Sequence, residues 1–207
     1  MREEENIRAV AALHPEYMGF IFYSGSKRFV GNGFNVPADF PERIKRVGVF
    51  VHESTNEILR LAKKHELSVI QFHGGEPLDD CEKIRASGLL VIKVFSVDAS
   101  FDFEETKRFA SGADYFMFDT KGQHYGGNGI AFDWDMLRKY DQRVPFFLSG
   151  GLTLGNREKI KKLKDLNVHA LDLNSGVEIR PGLKDVDLIG EWIEKFTPPE
   201  FLDELKD

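Results

Sequence analysis

Arg46-Val47-Gly48-Val49-Phe50-Val51 and Val69-Ile70-Gln71-Phe72-His73-Gly74, with residues 52–68 between them, decide the fold. Both apolar runs are almost continuously hydrophobic and rich in β-branched and aromatic residues, the pattern of a strand covered on both faces. The stretch between them is amphipathic with helical spacing over 56–65, and Ser54 ahead of Glu57 supplies a cap. Strand, helix and strand in that order make a parallel βα unit.

The same unit repeats outward in both directions. Apolar runs predict further strands at 17–23, 90–95, 115–118, 146–148 and 170–173. Amphipathic stretches predict helices at 3–13, 79–86, 103–110, 133–140, 157–166 and 186–196, with Asn156 capping the one that starts at Arg157. A short helix is expected within 35–43, a weaker stretch that holds Pro37 and Pro41. Such alternation closes into a barrel or forms a doubly wound sheet, and no GxGxxG follows the first strand to favour dinucleotide binding. About seven strands are counted where a closed barrel of this kind needs eight. The chain opens on a helix, so the expected architecture is an α/β fold of the (β/α)8 TIM-barrel type lacking its first β-strand. Residues 1–196 read as one domain and 197–207, with Pro198-Pro199, as a loosely attached tail.

Length and composition fit this reading. Across 207 residues, 42% are hydrophobic and 30% charged, which is enough for one soluble domain with a real core. No apolar run approaches the roughly 18 residues that cross a bilayer, so no membrane association is expected. The acidic start Met1-Arg2-Glu3-Glu4-Glu5 is unlike a signal peptide, which makes the cytoplasm the expected location. The net charge of -6, from 28 basic and 34 acidic residues, argues against a nucleic-acid partner while leaving room for a small anionic ligand. A single cysteine, Cys81, excludes an intrachain disulfide and a Cys-rich metal site. It falls within a covering helix, where a small packed residue is the expected role. The histidines form no metal-ligand spacing, and no metal is expected.

Active sites of such barrels lie at the C-terminal ends of the strands. Polar or glycine clusters recur there: Ser24 to Val30, Gln71-Phe72-His73-Gly74, Asp119 with the glycine-rich stretch 122–129, Ser149-Gly150-Gly151-Leu152, and Asn174-Ser175-Gly176-Val177-Glu178. Gly150 and Gly151 let backbone N–H groups approach an anion without Cβ interference, and Ser175-Gly176 can open a short helix whose amides favour phosphate. The alternative is that these glycines only turn the chain. Asp119 directly follows Tyr115-Phe116-Met117-Phe118, a setting that suits a carboxylic acid able to donate a proton. Arg28 is a candidate partner for a ligand carboxylate, against the alternative of a solvated loop arginine. His73 is either a ligand contact or a histidine satisfied by a backbone carbonyl.

Several of these segments resemble the phosphoribosylanthranilate isomerase family. They include Gly19-Phe20-Ile21-Phe22-Tyr23, Ser26-Lys27-Arg28-Phe29-Val30, Gln71-Phe72-His73-Gly74, Phe118-Asp119-Thr120, Gly126-Gly127-Asn128-Gly129, Ser149-Gly150-Gly151-Leu152 and Asn174 to Glu178 with Pro181-Gly182-Leu183-Lys184-Asp185. The resemblance implies an Amadori rearrangement of N-(5-phosphoribosyl)anthranilate, with no metal or organic cofactor and a monomeric or homodimeric protein. It implies Asp119 as general acid, Arg28 as the anthranilate-carboxylate site, and Gly150, Gly151, Ser175 and Gly176 as the phosphate site. His73 and Gly127 are expected to contact the same substrate. The family's base is a cysteine ending the first strand, in a motif resembling Lys-Val-Cys-Gly-Met-Arg whose last two residues align with Met1-Arg2. The base is therefore expected upstream of Met1, and residues 1–207 alone are expected to be impaired. The alternative is a barrel that binds a phosphorylated ligand without catalysis. Lys27 stands where the family usually has proline, which predicts a less rigid loop.

Overall fold

In the structure, a computed structural model, residues 1–121 and 132–196 are described. Gly127, the rest of the 122–129 stretch and the 197–207 tail lie outside the described residues. The seven strands read from the sequence are all present: β1 (Tyr17–Ile21), β2 (Lys45–Phe50), β3 (Val69–Phe72), β4 (Leu90–Val97), β5 (Tyr115–Thr120), β6 (Phe146–Leu148) and β7 (Val168–Leu171). All pair in parallel, in unbroken sequence order from β1 to β7. A doubly wound sheet reverses its order at a switch point. This sheet never does, so it is of the barrel type.

The sheet curls on itself. The ring of Tyr17 on β1 packs edge-on against Phe147 on β6 at 5.1 Å, and its hydroxyl lies 2.7 Å from Nε2 of His169 on β7. Among the described residues β1 and β7 are the two edges of the sheet, and this side-chain contact joins them.

Side chains alternate along each strand, so every second residue points inward. Val47, Val69, Ile92, Val94, Met117 and Phe147 form the apolar filling of the barrel. The opposite faces, with Phe20, Phe50, Ile70, Phe72, Phe116 and Phe118 almost wholly buried, pack under the helices α1 (Glu4–Ala11), α2 (Thr55–His65), α3 (Leu78–Ala86), α4 (Arg157–Lys161) and α5 (Val186–Phe196). Ser54 caps α2, accepting the Glu57 N–H at 3.3 Å. Cys81 is buried on α3. No helix among the described residues is long and apolar enough to cross a membrane.

Four local expectations need correction. Residues 103–109 and 134–139 form 3-10 helices, because Asp102 and Asp133 cap the N–H two residues on and the following bonds close over three residues. Residues 35–43 hold turns with no helix. Pro37 and Pro41 donate no N–H, and each lends its carbonyl to a residue three further on, Phe40 and Ile44. The helix at 157–166 stops at Lys161 and ends in tighter turns. Asn156 does not cap it; its amide donates to the Gly151 carbonyl at 2.8 Å, tying down the glycine turn after β6. The sequence reading also missed a small hairpin, β8 (Glu178–Arg180) with β9 (Leu183–Lys184), in the loop after β7.

Candidate active site

The strand parity that fills the barrel also builds the site. Tyr115, Met117 and Asp119 share one face of β5, so the last of them reaches the rim where the strands end. Ser149 continues the inward face of β6 and Asp172 that of β7. One cavity of about 410 Å³ runs along the gap between the β1 and β7 edges, from Tyr17 to this rim. Arg28, His73, Asp119, Gly150, Gly151, Ser175 and Gly176 all line it.

Asp119 is the next-to-last residue of β5 and is 8% exposed. Its Oδ1 accepts the Thr120 N–H at 2.9 Å and lies 3.3 Å from the Ser149 hydroxyl. Its Oδ2 is 3.6 Å from Nε2 of His73. The other ring nitrogen of His73 is 3.0 Å from the Gln71 amide, so the imidazole is held from one side and presents the other to the carboxylate.

The loop carrying His73 is fixed from below by a buried ion pair. Lys93 Nζ donates to the Gly74 and Glu76 carbonyls at 3.2 and 2.9 Å and lies 3.5 Å from the Glu76 carboxylate. That carboxylate accepts N–H groups from His52 and Gly74. Charges this deep are tolerated only when their remaining hydrogen-bonding capacity is met, as it is here.

The glycine turns approach the rim closely. Gly150 and Gly151 have φ of +83° and +68°, which side-chain-bearing residues rarely adopt. A Cβ on Gly150 would lie 2.3 Å from the Thr120 hydroxyl oxygen, and one on Gly176 would lie 2.3 Å from the Leu152 carbonyl. Ser175–Val177 form one turn of 3-10 helix, the short helix expected to open at Ser175-Gly176.

Arg28 is not a solvated loop residue. Its Nε and Nη2 grip Glu178 at 2.7–3.0 Å, and Glu178 also accepts the Gly182 N–H and Lys184 Nζ. Lys184 is in turn held by the Asn174 carbonyl and side-chain oxygens at 2.9 Å. Burial works against the Glu178 charge, yet the bonds from Arg28 and the field of Lys184 outweigh it and hold its pKa below the usual carboxylate value.

Asp172 was missed by the sequence reading. It is half-buried at the cavity wall, accepts the Ser149 hydroxyl at 2.9 Å, and has its pKa raised chiefly by desolvation and then by the nearby Asp119. The signal was available: Leu171-Asp172-Leu173 places a carboxylate at a strand end as Phe118-Asp119 does. Lys184 carried no such signal, because it comes from the unforeseen hairpin.

A cation, a pair of carboxylates sharing one serine hydroxyl, and two glycine turns thus ring a single cavity at the strand ends. That combination defines the class: a parallel α/β barrel with a polar cavity at the C-terminal ends of its strands. The family model described as N-(5'phosphoribosyl)anthranilate (PRA) isomerase matches residues 1–195, and the chain belongs to that family. It is 41% identical over 202 residues to the N-(5'-phosphoribosyl)anthranilate isomerase of Parabacteroides distasonis, covering 96% of this chain and 91% of the relative. The solved phosphoribosyl anthranilate isomerase of Thermotoga maritima superposes with a TM-score of 0.79 at 33% identity, covering 94% of each chain. Another solved isomerase of this kind holds reduced 1-(o-carboxyphenylamino)-1-deoxyribulose 5-phosphate, with a TM-score of 0.75 at 31% identity, and covers 94% of this chain and 93% of its own.

Proposed function

We propose that the chain isomerises N-(5-phosphoribosyl)anthranilate to 1-(2-carboxyphenylamino)-1-deoxyribulose 5-phosphate, an aldose–ketose rearrangement of tryptophan biosynthesis. One observation carries this reading: the buried carboxylate Asp119 shares a cavity with Arg28 and with both glycine turns. A ligand with a carboxylate at one end and a phosphate at the other is suited to that arrangement, with its sugar beside Asp119.

Asp119 donates its proton to the ribose ring oxygen, and the C1–O bond breaks as the nitrogen lone pair forms a protonated Schiff base. A base then removes the C2 proton, giving an enolamine that becomes the ketone. Arg28 neutralises the anthranilate carboxylate. Backbone N–H groups of Gly150, Gly151 and the Ser175–Gly176 turn hold the phosphate. Cys81 is unsuited to be the base: it is buried on a covering helix, and burial pushes its thiol up to about 11.

Turnover of N-(5-phosphoribosyl)anthranilate, measured in the unaltered protein and in Asp119→Asn, tests the proposal. The variant is expected to be slower by about 10²–10⁴-fold, the usual contribution of a positioned acid. Equal turnover would overturn the assignment of the acid. Ligand binding without turnover in the unaltered protein would favour a non-catalytic barrel.

A further inference from the structure

We propose that Glu178 is the positioning residue for Arg28: it occupies one edge of the guanidinium so that the other edge is left, fixed in direction, for the substrate's carboxylate. This deepens the proposed function and rests on its assignment of Arg28.

A guanidinium has five N–H donors in one plane. They form two forks that can each hold a carboxylate, one along Nε and Nη2 and one along Nη1 and Nη2. Glu178 takes the first, with Nε 3.0 and 2.9 Å from its two oxygens and Nη2 at 2.7 Å. Every hydrogen bond between the Arg28 guanidinium and the described residues runs to Glu178. The Nη1–Nη2 fork remains for a ligand in the cavity that Arg28 lines.

Glu178 can act as a fixed reference because it is itself immobilised. Its side chain is 4% exposed, and it accepts the Gly182 N–H at 3.0 Å and Lys184 Nζ at 3.2 Å. Lys184, 9% exposed, is anchored by both oxygens of Asn174. Asn174 adjoins Ser175-Gly176, so the anchor of the carboxylate end is built on the turn assigned to the phosphate end. The charges also balance for this role. Two cations facing one carboxylate leave a net positive site, and a ligand carboxylate neutralises it. A lysine in place of Arg28 would supply the charge without a second fork.

Binding of two reduced ligands separates this role from a structural one. One is reduced 1-(o-carboxyphenylamino)-1-deoxyribulose 5-phosphate; the other is its counterpart lacking the ring carboxylate. The unaltered chain is expected to prefer the first. Glu178→Gln keeps the shape and an acceptor for the Gly182 N–H. It is expected to weaken the first ligand by about tenfold, the scale of a charged hydrogen-bond network, and to leave the second within about twofold. Arg28→Lys is expected to lose the preference as well, and Glu178→Gln added to it to cause no further loss. Equal weakening of both ligands by Glu178→Gln, or a preference that survives in either single variant, would overturn the proposal. Absence of any preference in the unaltered chain would instead overturn the role of Arg28 on which it rests. If Glu178→Gln does not fold, Arg28→Lys alone decides, because a retained preference there shows that a point charge suffices.

Discussion

The two ends of the barrel are made by the same strands and have opposite chemistry. Where the strands begin, Tyr17, Tyr115, Phe147 and His169 close on one another. Tyr115 stacks on His169 at 4.3 Å, Phe147 meets both tyrosines edge-on, and the Tyr17 hydroxyl meets the imidazole. Above them Val47, Val69, Ile92, Val94 and Met117 make an aliphatic and thioether filling, and at the far end come Asp119, Ser149 and Asp172. One end satisfies its polar atoms internally and contributes cohesion. The other gathers two carboxylates, and desolvation first and the neighbouring Asp119 second raise the pKa of Asp172. Proteins accept such local cost at functional sites. Substitutions at the two ends are therefore expected to separate chemistry from stability.

The largest effect is expected at the charged end. Asp119→Asn removes the transferable proton while keeping the shape, and kcat should fall about 10²–10⁴-fold with ligand affinity almost unchanged. A fall confined to affinity would remove Asp119 from the chemistry. At the aromatic end, Phe147→Ala opens a cavity in the barrel filling and should cost about 3–5 kcal/mol in chemical denaturation. Affinity for the reduced ligand should stay as it was in whatever fraction remains folded; a loss of affinity would mean that the two ends are coupled.

Gly150→Ala is expected to be intermediate. A residue at φ +83° with a Cβ against Thr120 costs about 1–3 kcal/mol. Because Thr120 adjoins Asp119, ligand binding should weaken along with the melting temperature. An unchanged ligand affinity would break the assignment of this turn to the phosphate.

The smallest effect concerns pH and belongs to the aromatic end. Burial lowers the pKa of His169 below its ordinary 6.5, so the unfolded chain binds more protons than the folded one between those two values. Stability from the neutral ring is complete above about 6.5 and declines as pH falls through that value towards the folded pKa, where the acceptor for Tyr17 is lost. His65, also lowered by burial, adds a slope of the same sign. The melting temperature should fall between pH 7 and pH 5, and less steeply in His169→Gln. An equal slope in both would show that His169 titrates as it does unfolded.

The fold was legible because its signal is repeated. Seven apolar runs and the helical stretches between them are each weak, but their alternation admits few architectures, and the parallel order follows. Site residues at strand ends were legible for the same reason: Asp119, His73, Gly150 and Arg28 sit where an apolar run stops. Glu178 and Lys184 take their roles from pairing across a hairpin whose strands are three and two residues long, too short to show a period. The 3-10 segments were misread because hydrophobic spacing cannot tell a turn closed over three residues from one closed over four. Asp102 and Asp133 made that choice through their caps.

A crystal structure of the chain with reduced 1-(o-carboxyphenylamino)-1-deoxyribulose 5-phosphate tests the central claim most directly. The phosphate is expected against the backbone of Gly150–Gly151 and Ser175–Gly176, the ring carboxylate on the Nη1–Nη2 edge of Arg28, and the sugar within hydrogen-bonding distance of Asp119. A ligand bound with its phosphate at Arg28, or outside the cavity that these residues share, would contradict it.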